Sequence, residues 1–478
     1  MNEPFEIEGF WWLPNTPEIR IPGVLSFTPG DTLRLKLMGS LNKIEEKIFP
    51  PPDFINPDII HGITVNGESV TLSKCLQKSS SSSIEDAGSQ NTSEFIAHFA
   101  FFGVYFSSPS DIKFTSVSVR FHNLDSWYNK SCIKTSRPEP GTEVITFIRP
   151  KPIDIQINDY LIQIELLESQ SLNLNHTLLS AKVYINISND TKKPLEEYLN
   201  FLRLIQNFFT FAITEPTFVI EITGEVTEKI EPKGTNFNPP LIIKIFYAAP
   251  GWQSDHPDVF WGSMLLPYSE IEGNLPGLLK MWVEKAEILK PVFDLYFAGI
   301  YRSTYPENEF LNLTQAIESY HRRIYGGEYI SGNDYLSGLY KTLIAAIPQD
   351  ISDDFRSSLQ NGKLRYAHEY SLRKRIFLLC QHISENLPVK FLNDKTAQSV
   401  YAERIAGTRN YLTHYSPELK EKAITGGKEL FEVNNQLGLI ISFCFLEQLG
   451  IPYNKIEALL YKDRRYQKYI SKSKDSGK

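Results

Sequence analysis

The chain has 478 residues, more than one ordinary domain holds, so two or three domains are expected. Apolar residues at 42% and charged residues at 22% exclude wholesale disorder, and a net charge of −7 excludes a general nucleic-acid-binding surface. The charge is uneven, because residues 1–290 hold 24 basic and 35 acidic side chains whereas residues 291–478 hold 25 and 21.

The first half reads as strands. Residues 24–28, 32–37 and 113–121 alternate apolar and polar positions, and 95–106, 143–148, 160–166, 181–187, 217–223 and 241–247 are further candidates. Between them lies one helix, residues 195–211, opening after Pro194. The serine-rich stretch 78–92 reads as a soft polar loop. Trp11 and Trp12 read as core aromatics of a strand-rich domain, with base or ligand stacking as the other reading.

Near Pro267 the period changes from two to that of a helix. Residues 278–301 carry a helical apolar stripe that Pro291 must kink or break. Segments 310–324, 335–347, 371–383, 397–411 and 431–449 continue the helical period, and Ser352 with Asp353 and Asp354 reads as a helix start rather than a metal cluster. These features predict an α+β chain, with a β-rich domain over residues 1–270 and an all-α helical bundle over 271–478.

The basic end, Lys462, Arg464, Arg465, Lys468, Lys472, Lys474 and Lys478, is open to two readings, a solvated frayed tail or attraction of phosphate. Cys75, Cys132, Cys380 and Cys444 lie far apart, which disfavours a zinc ribbon or a redox pair and suits a reducing compartment. The start has neither a basic nor an apolar leader region, and the best apolar run, 437–451, is too short to span a bilayer. A cytoplasmic location is expected. No phosphate-binding loop or dinucleotide fingerprint is present, so no cofactor is expected, and the scattered histidines show no metal-ligand spacing.

The chemistry-bearing segment is Arg409-Asn410-Tyr411-Leu412-Thr413-His414-Tyr415. On a helix Asn410 and His414 share a face, Arg409 reaches the same volume, and Ser416-Pro417 ends the helix just beyond. Cleavage of RNA beside a 2′-hydroxyl needs a proton acceptor, a proton donor and a cation at the crowded phosphate. Imidazole supplies the first two, guanidinium the third, and no metal is required because the substrate carries its own nucleophile. Arg and His with four to six residues between them occur about once by chance in such a chain, and Arg375 to His382 is a second, weaker match. Spacing alone leaves a helix-capping histidine equally open.

Arg409-Asn410-x-x-x-His414 resembles the R-N-x(3)-H signature of HEPN domains, a helical family containing many metal-independent RNases. Residues 310–323 and 432–451, ending in Leu449-Gly450-Ile451, are similar to the opening and closing helices of its ApeA-like branch. Gly9-Phe10-Trp11-Trp12-Leu13-Pro14, Pro22-Gly23-Val24-Leu25 and Asn123-Leu124-Asp125-Ser126-Trp127 resemble the β-rich domain that precedes such bundles in bacterial anti-phage proteins. The resemblance implies catalytic roles for Arg409, Asn410 and His414, a homodimer facing two motifs across one cleft, an RNA substrate and a phage-derived trigger sensed by the front domain. It implies an endoribonuclease leaving a 2′,3′-cyclic phosphate, or alternatively a catalytically silent HEPN module that binds RNA or a partner.

Glu318 and Arg322, four apart on one helix, are candidates to orient the motif, although an ordinary intrahelical pair is the stronger reading. Arg373, Lys374 and Arg375 are candidates to line an RNA groove, with a solvated charged face as the default.

Overall fold

The computed structural model describes residues 3–41, 54–85, 88–173, 176–226, 240–249, 258–302 and 304–471. The chain forms two compact units, Met1–Val283 and Glu284–Lys478.

The first unit begins with β1 (Phe5–Trp12), β2 (Ile21–Phe27), β3 (Leu33–Leu37), β4 (Ile59–Thr64), β5 (Ser69–Glu85) and β6 (Gly88–Phe102). These pair antiparallel in the order β6-β3-β2-β1-β4-β5, and β5 returns to β6, closing a barrel. Strict alternation in Leu33-Arg34-Leu35-Lys36-Leu37 turns the leucines inward and the cations to solvent. Inside, Trp11, Leu25, Leu35, Ile60, Leu72 and Phe95 form the core, and Gly62 is small because a Cβ there would strike the Trp11 ring.

Strand β6 has a second role. Its Phe99–Phe102 stretch pairs with β14 (Leu241–Tyr247), while residues 93–97 pair with β3. From β14 the sheet continues through β13 (Val219–Val226), β7 (Lys113–Phe121), β12 (His176–Pro194), β11 (Tyr160–Asn173) and β10 (Ile153–Ile157). A separate hairpin joins β8 (Ile133–Ser136) to β9 (Val144–Phe147).

The short helix α1 (Leu124–Tyr128) follows β7, and α2 (Leu195–Ile213) packs against β7 and β12. Tyr198 of α2 donates its hydroxyl to the Phe114 and Thr115 carbonyls at 3.2 and 2.9 Å. The Asn123-to-Trp127 segment is a structural latch. Asn123 adopts a left-handed φ of 64° and accepts from the Val259 amide at 2.9 Å. Asp125 accepts from the Val183 amide at 2.7 Å, and the buried Trp127 indole donates to the Leu266 carbonyl at 2.8 Å.

Two sequence expectations change here. The serine-rich stretch is not a loop, because Ser79–Glu85 pair in register with Gly88–Glu94 as the outer part of the β5–β6 hairpin. It contains no proline to break the ladder, and main-chain pairing proceeds without apolar side chains. The first unit also reaches past residue 270. It takes in α3 (Tyr268–Ile271) and most of α4 (Leu275–Ile288), since Trp282 stacks on Phe211 at 5.5 Å and donates its indole N–H to the Leu204 carbonyl at 3.0 Å.

The second unit is helical: α5 (Lys290–Tyr301), α6 (Pro306–Tyr325), α7 (Gly332–Ser337), α8 (Leu339–Ala345), α9 (Asp353–Ser358), α10 (Leu372–Asn386), α11 (Lys395–His414), α12 (Pro417–Lys420), α13 (Gly427–Gln448) and α14 (Tyr453–Lys462). Pro291 breaks α4 from α5 by sitting in the first turn of the new helix, where its missing N–H is harmless. Ser352 caps α9, accepting from the Phe355 amide at 3.3 Å. Helix α13 is apolar nearly all round over Leu437–Leu446 and is buried accordingly. Asn434 on α13 donates to the Pro306 carbonyl at 2.9 Å at the start of α6, and Gln448 donates to the Tyr320 hydroxyl at 3.1 Å towards its end, so the two helices run parallel.

The basic end is not a frayed tail over its described part. Arg465 pairs with the buried Asp463 at 2.7 Å, Tyr466 and Tyr469 are buried, and Lys468 pairs with Glu432 at 2.7 Å. Lys472, Lys474 and Lys478 lie outside the described residues.

Candidate active site

Helix α11 presents the Arg409-Asn410-His414 group. Its start is capped by Asp394, whose carboxylate accepts from the Ala397 amide at 2.8 Å. Its inner face buries Tyr401, Ala402, Ile405, Thr408 and Leu412, a helical stripe that turns the intervening positions outward. It ends at His414, because Tyr415 takes a left-handed φ of 51° and Pro417 follows.

Asn410 and His414 are exposed and Arg409 is half-buried. The Arg409 guanidinium donates to the Asn410 side-chain oxygen at 3.3 Å. Among the described residues no carboxylate pairs with Arg409 and no group hydrogen-bonds the His414 ring. That distinguishes Arg409 from Arg373, Arg375 and Arg404, whose nearest carboxylates are Glu403, Glu369 and Glu429. A guanidinium free of carboxylates, one turn from a solvent-facing imidazole, is open to a phosphate.

The loop after α12 braces this end of the helix. Thr408 donates to the Arg404 carbonyl at 2.8 Å and accepts from the Ile424 amide at 3.0 Å, and Thr413 donates to the Arg409 carbonyl at 2.7 Å. Alongside runs a cleft of 330 Å³ whose lining includes Tyr305, Asn308, Tyr411, Leu412 and Tyr415. Tyr411 and Tyr415 lie 5.5 Å apart by ring centroid, and Tyr305 and Tyr415 are strongly exposed. Sequence reasoning missed these three tyrosines. Their signal was present, since Tyr411 lies within the basic motif and Tyr415 directly follows it, an interleaving that suits base stacking.

The remaining candidates lie elsewhere. Glu318 and Arg322 pair with each other on α6 at 3.5 Å, and Arg322 also pairs with Glu369. Neither has a hydrogen bond or ion pair with Arg409, Asn410 or His414 among the described residues. Arg373 is exposed and bound to Glu403 at 3.0 Å, and Lys374 is half-buried over the Tyr370 and Phe377 rings at 6.0 and 5.6 Å.

Arg375 contradicts the expectation of a groove-lining cation. Its side chain is only 1% exposed, and it donates to the carbonyls of Gly326, Gly327 at 3.2 Å and Tyr370 at 3.0 Å. The helical period of α10 carries it inward beside Ile376 and Leu379, a placement that the neighbouring Arg373 and Lys374 disguise. Its partner in the weaker sequence match, His382, is bound to Glu447 at 2.6 Å.

Among the described residues no group of three His, Cys, Asp or Glu side chains is placed to hold a metal ion, and no helix is long and apolar enough to cross a membrane. The four cysteines are free and buried.

Comparison with known families gives two matches in tandem. The family model described as ApeA N-terminal domain 1 covers residues 6–282, and that described as Apea-like HEPN covers residues 311–455. The chain belongs to the ApeA family. Its architecture is the β-rich ApeA N-terminal domain followed by the ApeA-like HEPN domain, and α11 with its Arg409-Asn410-His414 end falls within the HEPN match. No curated protein and no solved structure matches the chain.

Proposed function

We propose that this ApeA-family chain is a metal-independent endoribonuclease of bacterial anti-phage defence, with Arg409, Asn410 and His414 as its catalytic group. The observation that carries the reading is the exposed helix end itself, where Arg409 has no carboxylate partner among the described residues and His414 is open to solvent. Membership of a HEPN-containing family, part of which consists of nucleases, supports it.

In the proposed reaction a neutral imidazole removes the proton from the 2′-hydroxyl. The 2′-oxygen attacks the adjacent phosphorus, the bond to the 5′-oxygen breaks, and a protonated imidazole gives its proton to that leaving oxygen. Arg409 carries the charge that grows on the non-bridging oxygens, and Asn410 holds the guanidinium in place. One helix end supplies one imidazole, so the acid and base tasks divide most simply between the His414 side chains of a homodimer paired through its HEPN domains. Tyr411 and Tyr415 would stack a base next to the scissile phosphate.

The front domain, acidic overall, would sense a phage-derived cue and hold the nuclease latent until infection. The test is to sequence RNA ends from infected cells carrying the wild type or His414→Ala. Loss of new 5′-hydroxyl ends in the variant supports the assignment. Persistence of those ends and of growth arrest refutes it.

A further inference from the structure

A second polar cavity lies within the helical unit, away from the Arg409 group. Its volume is 470 Å³, within the range of small-molecule sites, and none of the motif residues lines it. Tyr325, Tyr370 and Leu378 give it flat and apolar walls, and His321, His382 and Glu328 give it polar groups.

The two imidazoles are held in different states. Arg375 approaches His321 Nδ1 at 3.3 Å, and a guanidinium only donates, so that nitrogen is an unprotonated acceptor. Burial and the neighbouring Arg375 charge push His321 down to about 4, leaving the ring neutral. The Glu447 hydrogen bond at 2.6 Å pushes His382 up against the opposing effect of burial. His382 is thereby shifted toward its protonated form, with Nε2 committed to Glu447 and no hydrogen bond to Nδ1 among the described residues. Glu328 accepts from the Gly332 amide at 3.0 Å through one oxygen, and the other, 3.8 Å from His368, keeps acceptor capacity.

The charge balance says what such a cavity takes. Arg322 and Arg375 face Glu369, Arg322 also faces Glu318, and His382 faces Glu447. Among the described residues the lining itself holds no Lys or Arg, and the neighbouring Lys374 is engaged over the Tyr370 and Phe377 rings, whereas aromatic walls with a donor, an acceptor and a neutral ring suit a planar, uncharged heterocycle. We propose that the cavity between the end of α6 and the start of α10 binds a nucleobase, stacked on Tyr325 or Tyr370 and held at its edge by His382 and Glu328. The site is independent of the ribonuclease reading, since it shares no residue with the Arg409 group.

The experiment titrates the intact protein calorimetrically with adenosine, guanosine, cytidine and uridine, with inorganic phosphate as control. At least one nucleoside should bind saturably and phosphate should not compete. Tyr370→Ala should weaken that binding about tenfold. Leu378→Trp, which fills the cavity, should abolish it, and His414→Ala should leave it unchanged. A short single-stranded RNA added to the His414→Ala protein separates two sources of the base: displacement of the nucleoside assigns the cavity to a strand, and its absence assigns it to a free nucleoside. If neither nucleosides nor RNA enter, or if a bound nucleoside is indifferent to both Tyr370→Ala and Leu378→Trp, the proposal is overturned. The wild-type titration and Tyr370→Ala decide the matter even where Leu378→Trp fails to fold.

Discussion

Arg375→Ala separates a structural arginine from a ligand-binding one. The substitution removes donors from three backbone carbonyls, two of them in the Gly326-Gly327 turn at φ 66° and 105°, and leaves Glu369 with Arg322 alone. Leaving three backbone carbonyls without their donor, at about 1–3 kcal/mol for each buried acceptor, costs about 3–5 kcal/mol in total. For a unit of this size that lowers the melting temperature by about 10 °C. The intact protein reports the two units separately, because all six tryptophans precede residue 283. The far-UV helical signal, drawn mostly from the second unit, should fall early while the tryptophan fluorescence transition stays in place. The control is Arg373→Ala, two residues away, whose pair with Glu403 is exposed on both sides and is worth about 0–1 kcal/mol. A loss below about 1 kcal/mol in Arg375→Ala would refute the buried-network argument and return this side chain to the surface.

Other perturbations have defined outcomes. His414→Ala and Arg409→Lys should lower RNA cleavage by about 10² or more in a single-turnover assay while the melting temperature stays put, since both side chains reach solvent. His382→Gln should cost most stability near about pH 6, and the difference from wild type should shrink as pH rises through the raised His382 value, because the Glu447 bond stabilises the protonated ring. Urea titrations at several pH values check the sign, and a difference that grows at alkaline pH would contradict it. Gly62→Ala should destabilise the barrel by about 1–3 kcal/mol through its clash with Trp11, read in the fluorescence transition.

Periodicity alone revealed the order of strands and helices, because the alternation of Lys113–Phe121 and the stripe of α11 are physical consequences of one buried face. Closure of the barrel was not readable. It depends on β5 returning to β6, a pairing between strands whose outer halves are polar. The motif stood out through residue chemistry and a proline just beyond it. The His321–Arg375–His382–Glu447 cluster did not, since its members come from three helices separated by long stretches of chain, and only Arg375 with His382 showed in the sequence, as a weaker copy of the motif. Arg375 shows the cost of reading charge without phase: three consecutive cations on a helix cannot all face water.

The divided edge of β6 governs how the front half can be cut. Its Phe99–Phe102 amides and carbonyls are satisfied by β14, a segment arriving some 140 residues later. A fragment ending after α2 would carry a complete barrel with a raw, aromatic strand margin beside it, the kind of surface that recruits other chains into edge-to-edge stacking. Dissection of this half therefore belongs after Val283 rather than at the barrel, because β14 closes the strand margin and Leu266 and Trp282 still belong to this unit, and recombinant pieces that stop short are expected to precipitate.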